Sequence, residues 1–400
     1  MVDKQTVGGR SDGRRVAVFA GVDALAGVDV ALPADRRAAV IVADAALVDN
    51  GYVGRVDEAV ATWGPGERLL VPVPPGEPTA GTVDQVAAAI RTHAVDGLDR
   101  LVVVAVGGGS ALDTAKQAAA IAPAPHGIEH YALAAHALPA RSAGVVAIPT
   151  TAGTGSEVTR TCVVTDSRAR KVWTWGDAMV PDVVVLDPHA TVTLPPHVTG
   201  ATGLDAFVHA AEAMTGRRAD TIAEQNASEA VRLVLEHLGA AVADGSDLLT
   251  RLGMQQAAML AGLAIDSGGT GIAHSIGHAL GTLGHVPHGV AVAIGFGAAL
   301  EWNVAGTPEA FAGLARAANC RPEGLVDTYA ELLEDSDFAD AVRRVGPPSM
   351  DAEALAATMI APENAPMVAN NCRRPDDADR LQLARTTLRM WEALRSGAAA

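Results

Sequence analysis

The sequence predicts an α/β fold with a mainly parallel sheet in its first half and an all-helical fold in its second half. Between residues 38 and 188, short apolar segments rich in Val and Ile alternate with segments of helical spacing. The apolar segments show no in-and-out alternation, which is typical of parallel strands covered by helices on both faces. After the Pro195-Pro196 pair, the apolar residues follow helical spacing only.

Each predicted strand is an apolar run that ends at or beside Gly, Pro or Asp. We expect strands at 38–44, 68–73, 101–106, 144–149 and 182–188, with helices between them. In the second half we expect helices at 222–238, 251–265, 308–320 and 377–394. The chain is therefore predicted to form an α/β domain over 1–195 and a helical domain over 196–400. The first dozen residues and the final RSGAAA are expected to be loose.

The composition excludes several classes of function. Thirty basic and 46 acidic residues give a net charge of −16, and no dense basic stripe occurs, so neither nucleic acid nor an anionic membrane is an expected partner. No apolar run approaches the roughly 18 residues of a membrane helix, and the polar amino terminus does not resemble a signal peptide. Three cysteines, far apart, predict no disulfide scaffold. We therefore expect a cytoplasmic protein.

Two loops at predicted strand ends have the composition of a nucleotide-binding site. Gly107, Gly108, Gly109 and Ser110 follow a buried strand and open a helix, where bare amides suit a pyrophosphate. A tight turn capped by Ser110 is an equally good interpretation of these residues alone. Residues 148–159, IPTTAGTGSEVT, add hydroxyls at a second strand end. Asp44 is placed to accept a ribose hydroxyl, although a turn-capping Asp is the commoner outcome.

Histidines cluster between residues 274 and 288. His274 and His278 are four apart, and so are Asp205 and His209, so each pair shares a helix face. A carboxylate with imidazoles from a second segment suits a first-row divalent metal. His285 is left out of this set because it shares neither the spacing nor an apolar face. Three further histidines are expected at the surface: His126, His130 and His136.

Four stretches together resemble the iron-containing (group III) alcohol dehydrogenases: GGGSALDTAK, IPTTAGTGSEVT, GLDAFVHAAEA and GIAHSIGHALGTLGHVPHG. Their order and separations are similar, and VDAL, ADAALVDNG and the LDP–LPP segments also fit, so the resemblance spans nearly the whole chain. It implies a dinucleotide-binding α/β domain, a helical domain, and a metal in the cleft between them. It also implies a homodimer.

The resemblance assigns roles to individual residues. The metal, Fe(II) or alternatively Zn(II), would be held by Asp205, His209, His274 and His288. His278 matches a non-ligating histidine beside the nicotinamide, and we expect it to relay the alcohol proton to solvent. Asp44 favours NAD over NADP. The expected NAD(H) contacts are Asp44, Gly107, Gly108, Gly109, Ser110, Asp113, Thr150, Thr151, Thr154 and Lys171.

The sequence departs from the family pattern near the cofactor and the substrate. Glu77 replaces the usual Asn of Asn-Pro-Thr, which puts that cofactor contact in question. Ile265 stands where an aromatic is often found, and Arg160 and Thr161 stand where relatives line the substrate pocket. The stretch KVWTWGDAM, with Trp173 and Trp175, is outside the common pattern.

These features predict reversible hydride transfer between NAD(H) and a small primary alcohol or aldehyde, with the metal polarising the substrate oxygen. Arg160 leaves open an anionic aldehyde such as phosphonoacetaldehyde. A lyase like the dehydroquinate synthases is disfavoured because Lys and Arg are sparse around 200–290. The metal-free maleylacetate reductases and the glycerol dehydrogenase-like relatives are disfavoured because no ligand position is substituted. A non-catalytic nucleotide- or metal-binding protein is the remaining alternative.

Overall fold

The computed structural model describes residues 3–7, 16–32 and 35–397. The chain divides into two compact units. The first, here called the α/β unit, contains Met1–Thr151 and Ser156–Val192, and the second, the helical unit, contains Ala152–Gly155 and Thr193–Ala400. The short segment Ala152–Gly155 therefore belongs by its contacts to the helical unit, although the residues on both sides of it belong to the α/β unit.

The α/β unit is built on a seven-stranded sheet with the order β1-β2-β9-β6-β5-β3-β4. All neighbouring pairs are parallel except β1 with β2. A separate antiparallel hairpin is formed by β7 and β8. The strand bounds are β1 Asp3–Val7, β2 Val16–Ala20, β3 Ala38–Asp44, β4 Glu67–Val73, β5 Leu101–Gly107, β6 Gly144–Pro149, β7 Thr161–Thr165, β8 Lys171–Trp175 and β9 Val183–Leu186.

Helices cover both faces of this sheet. The unit contains α1 Tyr52–Thr62, α2 Ala80–His93 and α3 Gly109–Ile121. Along β5, Val102 and Val104 pack in one apolar cluster with residues of α1, whereas Val103 and Ala105 pack in another with residues of α2 and α3. Since both faces of β5 are buried, a strand without polar alternation is the expected sequence. The prediction of a mainly parallel α/β sheet is thus confirmed.

Four strands of the α/β unit were not predicted: β1, β2, β7 and β8. The expectation of a loose tail over the first dozen residues is wrong for Asp3–Val7, which pairs antiparallel with Val16–Ala20; the other residues of that stretch, like 398–400 of the carboxyl terminus, lie outside the described residues. The KVWTWGDAM stretch begins with β8, and its Trp173 pairs with Val163 of β7. Both missed pairs are short antiparallel ladders, whose partners a strand pattern alone does not reveal.

The helical unit has only helices and turns between residues 193 and 397, as predicted. Its helices are α4 Pro196–Thr215, α5 Thr221–Ala243, α6 Leu248–Gly268, α7 Ile272–Gly284, α8 His288–Gly306, α9 Ala312–Ala317, α10 Leu325–Asp335, α11 Phe338–Val345, α12 Ala352–Thr358, α13 Ala365–Asn370 and α14 Asp377–Ser396. They enclose one large apolar cluster that is dominated by Ala, Val and Leu. The helix expected at 308–320 is a 3-10 turn followed by the short α9.

Among the described residues, α8 is the one helix with the length and composition of a membrane span. Its 18-residue window has a mean hydropathy of 1.3, and 67% of that window is buried in the protein. No apolar run of this length was expected from the sequence. A core helix passes the same test of length and composition, so α8 is weak evidence for a membrane segment.

Candidate functional site

Three helices of the helical unit bring four predicted side chains together. Asp205 and His209 lie one turn apart on α4, His274 lies in the first turn of α7, and His288 opens α8 directly after Pro287. Glycines permit the close approach of these helices. A Cβ at Gly289 would lie 2.5 Å from the Ala201 carbonyl oxygen of α4.

The four side chains converge on a common centre. Their ligand atoms all lie within 4.8 Å of one another. Oδ1 of Asp205 is 3.8 Å from Nε2 of His209, 3.8 Å from Nε2 of His274 and 3.7 Å from Nε2 of His288. These distances are too long for hydrogen bonds. Ligands 2.0–2.2 Å from a shared tetrahedral ion lie about 3.4 Å apart, so the spacing fits a divalent metal at the centre.

Burial and missing partners support the same interpretation. Asp205 and His274 are 2% and 3% exposed, and Oδ1 of Asp205 and Nε2 of His274 accept or donate no hydrogen bond. Buried polar atoms are nearly always paired, so these two unpaired atoms fit a site that binds a metal ion. Burial lowers the pKa of His209, an effect that the nearby Asp205 opposes. A neutral imidazole retains the lone pair that a metal needs.

A carboxylate that the sequence analysis missed lies behind this cluster. Oε2 of Glu212 is 2.6 Å from Nδ1 of His274. On the other side, Nδ1 of His209 lies 3.3 Å from the carbonyl oxygen of Gly153. Metal-bound histidines usually place the second ring nitrogen against such an acceptor. The signal was available, since Glu212 is three residues after His209 on the same helix face.

The remaining two histidines of this stretch, His278 and His285, are not among the four clustered side chains. The ring of His278 is half-buried and its centroid is 5.8 Å from that of His288. His285, which was excluded from the ligand set, ends α7 in the left-handed conformation with φ 51°. Ile265, predicted to line the substrate pocket, is partly buried against the helical core.

The other three clustered histidines are not part of the metal cluster. His126 and His136 are exposed and His130 is half-buried. The ring of His130 stacks on both of the others, with centroids 4.1 and 3.9 Å apart.

In the α/β unit, the glycine turn lies at the carboxyl ends of β5 and β6, where its backbone packs closely against neighbouring side chains. Gly107 has φ 154°, and a Cβ there would lie 2.5 Å from that of Ala111 and 3.3 Å from that of Asp44. A Cβ at Gly108 would lie 3.2 Å from the methyl group of Thr151. The amide of Thr150 donates to the Gly107 carbonyl oxygen. Bare backbone at a helix amino terminus, with α3 beginning at Gly109, suits a pyrophosphate.

Two acidic residues of the predicted cofactor set already have backbone partners. Asp44 ends β3 and accepts a hydrogen bond from the Ala46 amide, which is the turn-capping role considered above. Asp113 is buried, and its two oxygens accept from the Ser156 hydroxyl and the Val163 amide. The environment of Asp113 therefore favours a structural role, and its predicted cofactor contact remains a prediction.

Asp113 belongs to a buried charged cluster that holds the loop after β6. The Lys116 ammonium donates to the carbonyl oxygens of Ser156, at 2.5 Å, and Thr159, at 3.0 Å. Glu157, in the same loop, is 2% exposed, and burial raises its pKa to about 7. Neither Lys116 nor Glu157 was predicted from the sequence as a functional residue.

The substrate-pocket candidates of the α/β unit lie beside the hairpin. The Arg160 guanidinium is 5.3 Å from the ring centroid of Trp175, a cation–π distance, and Thr161 begins β7 with its side chain exposed. The ammonium of Lys171 is 2.8 Å from Oε1 of Glu77, so the departure from Asn places an anion beside a predicted cofactor contact. Thr154 lies in the segment that belongs to the helical unit.

A glycine turn on a parallel sheet in one unit and a buried carboxylate–imidazole cluster in the other are the features of a metal-dependent dehydrogenase. Comparison with known protein families identifies the family of dehydrogenases to which these features belong. Residues 16–188 match the family described as iron-containing alcohol dehydrogenase, and residues 199–388 match its carboxyl-terminal domain.

Individual relatives agree with this match. The chain is 35% identical to a choline dehydrogenase of Bacillus subtilis (strain 168) over 78% of the chain and 84% of that protein. It is 37% identical to a 1-propanol dehydrogenase of Citrobacter freundii, over 67% and 71%. It is 31% identical to a sulfoacetaldehyde reductase of Bilophila wadsworthia (strain 3_1_6), over 86% and 89%. The crystal structure of a 1,3-propanediol oxidoreductase superposes with a TM-score of 0.84 at 26% identity, covering 97% of this chain and 100% of that one.

The chain belongs to the iron-containing alcohol dehydrogenase family. It is an oxidoreductase that acts on CH–OH groups and depends on NAD(H) and a metal.

Proposed function

We propose that this enzyme interconverts small primary alcohols and their aldehydes, with a divalent metal held by Asp205, His209, His274 and His288. The observation that carries the proposal is the convergence of these four ligand atoms, three of them on buried residues, within 4.8 Å. The 1-propanol dehydrogenase relative supports a short, neutral substrate.

The chain's own residues account for binding and proton movement. A bound divalent metal supplies Lewis-acid polarisation of the substrate oxygen. The backbone amides of Gly108 and Gly109 would hold the pyrophosphate at the start of α3, and the Thr151 hydroxyl lies beside Gly108. Oδ2 of Asp44, the oxygen that does not bond to the Ala46 amide, would accept from the ribose. A ring nitrogen of His278 would take up the alcohol proton, and bound NAD would supply the hydride acceptor.

Metal content and turnover together test this proposal. Anaerobically purified protein, loaded with Fe(II) or Zn(II), should form NADH from C2–C4 primary alcohols, followed at 340 nm. His274→Ala should lose both metal and turnover, because one of four ligands is removed. His285→Asn is the matched control, since it keeps a residue that tolerates positive φ outside the cluster. A metal-loaded enzyme that is inactive on every alcohol and aldehyde of the series would exclude the proposed substrate class.

The role of His278 has a separate test. His278→Gln should lower turnover and change its pH profile, because the proton loses its acceptor. Unchanged turnover with an unchanged profile would contradict the proton relay.

An anionic aldehyde is the second candidate substrate, because Arg160 lies beside the hairpin and the sulfoacetaldehyde reductase relative covers most of the chain. Arg160→Gln should then selectively lower the rates on C2–C4 aldehydes that carry a sulfonate, phosphonate or carboxylate. Arg170→Gln, in the hairpin turn and paired with Asp166, is the control for loss of a surface charge. Equal effects on neutral and anionic aldehydes would exclude this role of Arg160.

We also propose that the protein is a cytoplasmic homodimer. The family resemblance supports the dimer, and three free cysteines support the location. Light scattering of the purified protein and fractionation of the native cells test these assignments.

A further inference from the structure

Glu212 is a buried carboxylate at the junction of α4 and α7. It is 5% exposed, and the donors of all its recorded side-chain hydrogen bonds belong to the first residues of α7 or lie just before them. Its oxygens accept from the backbone amides of Gly271 and Ala273, each at 2.7 Å, and contact Nδ1 of His274 at 2.6 Å. The partial positive charge at this helix end compensates the buried anion.

These contacts fix the tautomer of His274. A carboxylate that already accepts two backbone N–H groups is an acceptor, so Nδ1 of His274 carries the proton that it donates to Glu212. Nε2 of the neutral ring then carries the lone pair, and it is Nε2 that lies 3.8 Å from Oδ1 of Asp205. The opposite tautomer would set a lone pair against the carboxylate and an N–H against the metal centre.

We propose that Glu212 is a positioning residue that holds His274 in its metal-binding tautomer and thereby sets the affinity of the site for divalent metal. This inference rests on the proposed assignment of the four side chains as metal ligands. It adds a function to a residue whose capping contacts alone would be structural. Acceptors of this kind typically contribute about 10- to 100-fold to metal affinity.

The same helix end offers a control that separates positioning from capping. Asn371 is buried and accepts from the Ile272 amide through Oδ1, at 3.2 Å. Its NH2 group donates to Oδ1 of Asn303 and to the Arg373 carbonyl oxygen. Asn371 therefore caps α7 beside Glu212, but none of its recorded hydrogen bonds reaches a proposed metal ligand.

The test compares Glu212→Gln with Asn371→Ala. The Gln amide has nearly the same shape but only one oxygen, whereas Oε2 of Glu212 serves the Gly271 amide and Nδ1 of His274, and Oε1 serves the Ala273 amide. With the Gln oxygen on the Ala273 amide, its NH2 faces Nδ1 of His274 and favours the wrong tautomer. With the oxygen on the other side, a neutral amide replaces the carboxylate and holds the proton of Nδ1 less strongly. We expect Glu212→Gln to raise the Kd for Zn(II) and Co(II) about 10- to 100-fold, measured in metal-free protein by competition with a chromophoric chelator. Its Co(II) absorption spectrum should also change. Asn371→Ala should lower the Tm of the metal-free protein, but keep the wild-type Co(II) spectrum and a Kd within about threefold.

Two results would overturn the proposal: a Kd of Glu212→Gln within threefold of wild type, or an equal loss of affinity in Asn371→Ala. If Glu212→Gln does not fold, Glu212→Asp is the second variant, because it keeps the carboxylate charge but places it one methylene further from His274. Glu212→Asp should bind Co(II) more weakly than Asn371→Ala does. Equal or tighter binding would count against the positioning role of Glu212. A wild-type protein that binds no metal would refute the proposed function itself. Normal metal binding with an unaffected Glu212 variant would refute this inference alone.

Discussion

Gly155→Ala tests how the segment Ala152–Gly155 is held against the helical unit. Gly155 has φ 62°, and a Cβ there would lie 2.5 Å from Cα of Gly262 and 2.7 Å from the Ala258 carbonyl oxygen, both in α6. The left-handed conformation costs an Ala about 1–2 kcal/mol. Overlap with backbone, which cannot rotate away, adds about 1–3 kcal/mol. We therefore expect the free energy of unfolding to fall by about 2–5 kcal/mol.

Gly346→Ala is the matched control for this substitution. Gly346 also lies in the helical unit, with φ 88°, but a Cβ there would meet nothing within 4 Å. Only the conformational cost of about 1–2 kcal/mol should then appear. Urea unfolding of both metal-free variants measures the difference. A loss in Gly155→Ala no larger than in Gly346→Ala would show that the close contact with α6 is not limiting. Because the carbonyl oxygen of Gly153 faces Nδ1 of His209, Gly155→Ala should also bind Zn(II) more weakly.

Two further predictions concern the α/β unit. Glu77→Asn should tighten NAD binding about two- to fivefold, because it removes an anion paired with Lys171. Titration of the protein with NAD at low salt measures this change. Asp57→Asn, which breaks another exposed ion pair, is the control, and an equal effect of this variant would show that only net charge matters. Burial raises the pKa of Glu157 to about 7 from 4.5, so the folded chain binds this proton more tightly than the unfolded chain. The free energy of unfolding that this proton contributes is fully present below pH 4.5 and is lost as the pH rises through 7, a fall of about 3 kcal/mol. Urea unfolding at pH 5 and 8 measures this fall, and Glu157→Gln should abolish it.

The parallel sheet was predictable because its strands are buried on both faces. A continuous apolar run such as LVVVAV indicates this burial without any polar alternation. The edge strand Asp3–Val7 was not, because DKQTV carries no apolar pattern and its pairing with β2 is visible only in three dimensions. The hairpin of β7 and β8 was not predicted either, for a related reason. Its strands have five residues each and form a two-stranded sheet of their own.

The metal cluster was predictable in part. The spacing along one helix places Asp205 and His209 on the same face, but it does not show which histidines of other helices complete the ligand set. Those histidines were assigned from the order of motifs in the family. Glu212 lies on the same helix face as His209, yet its partner His274 is 62 residues away. The same limit applies to Asp113. An acidic residue in the first turns of a helix after a glycine turn can face a ligand or the loop beside it, and here it accepts from Ser156 and Val163.

The high glycine content has a specific cause in the helical unit. A Cβ at Gly277 would lie 2.6 Å from Val292 of α8, and one at Gly268 would lie 2.4 Å from the Ala213 carbonyl oxygen of α4. These glycines let α4, α6, α7 and α8 approach more closely than helices with larger side chains at their contacts. Ligands from three helices meet within 4.8 Å because of that approach. The close helix contacts at these glycines are therefore a requirement of the proposed metal site, and a methyl group added at either one acts on that site without touching a ligand.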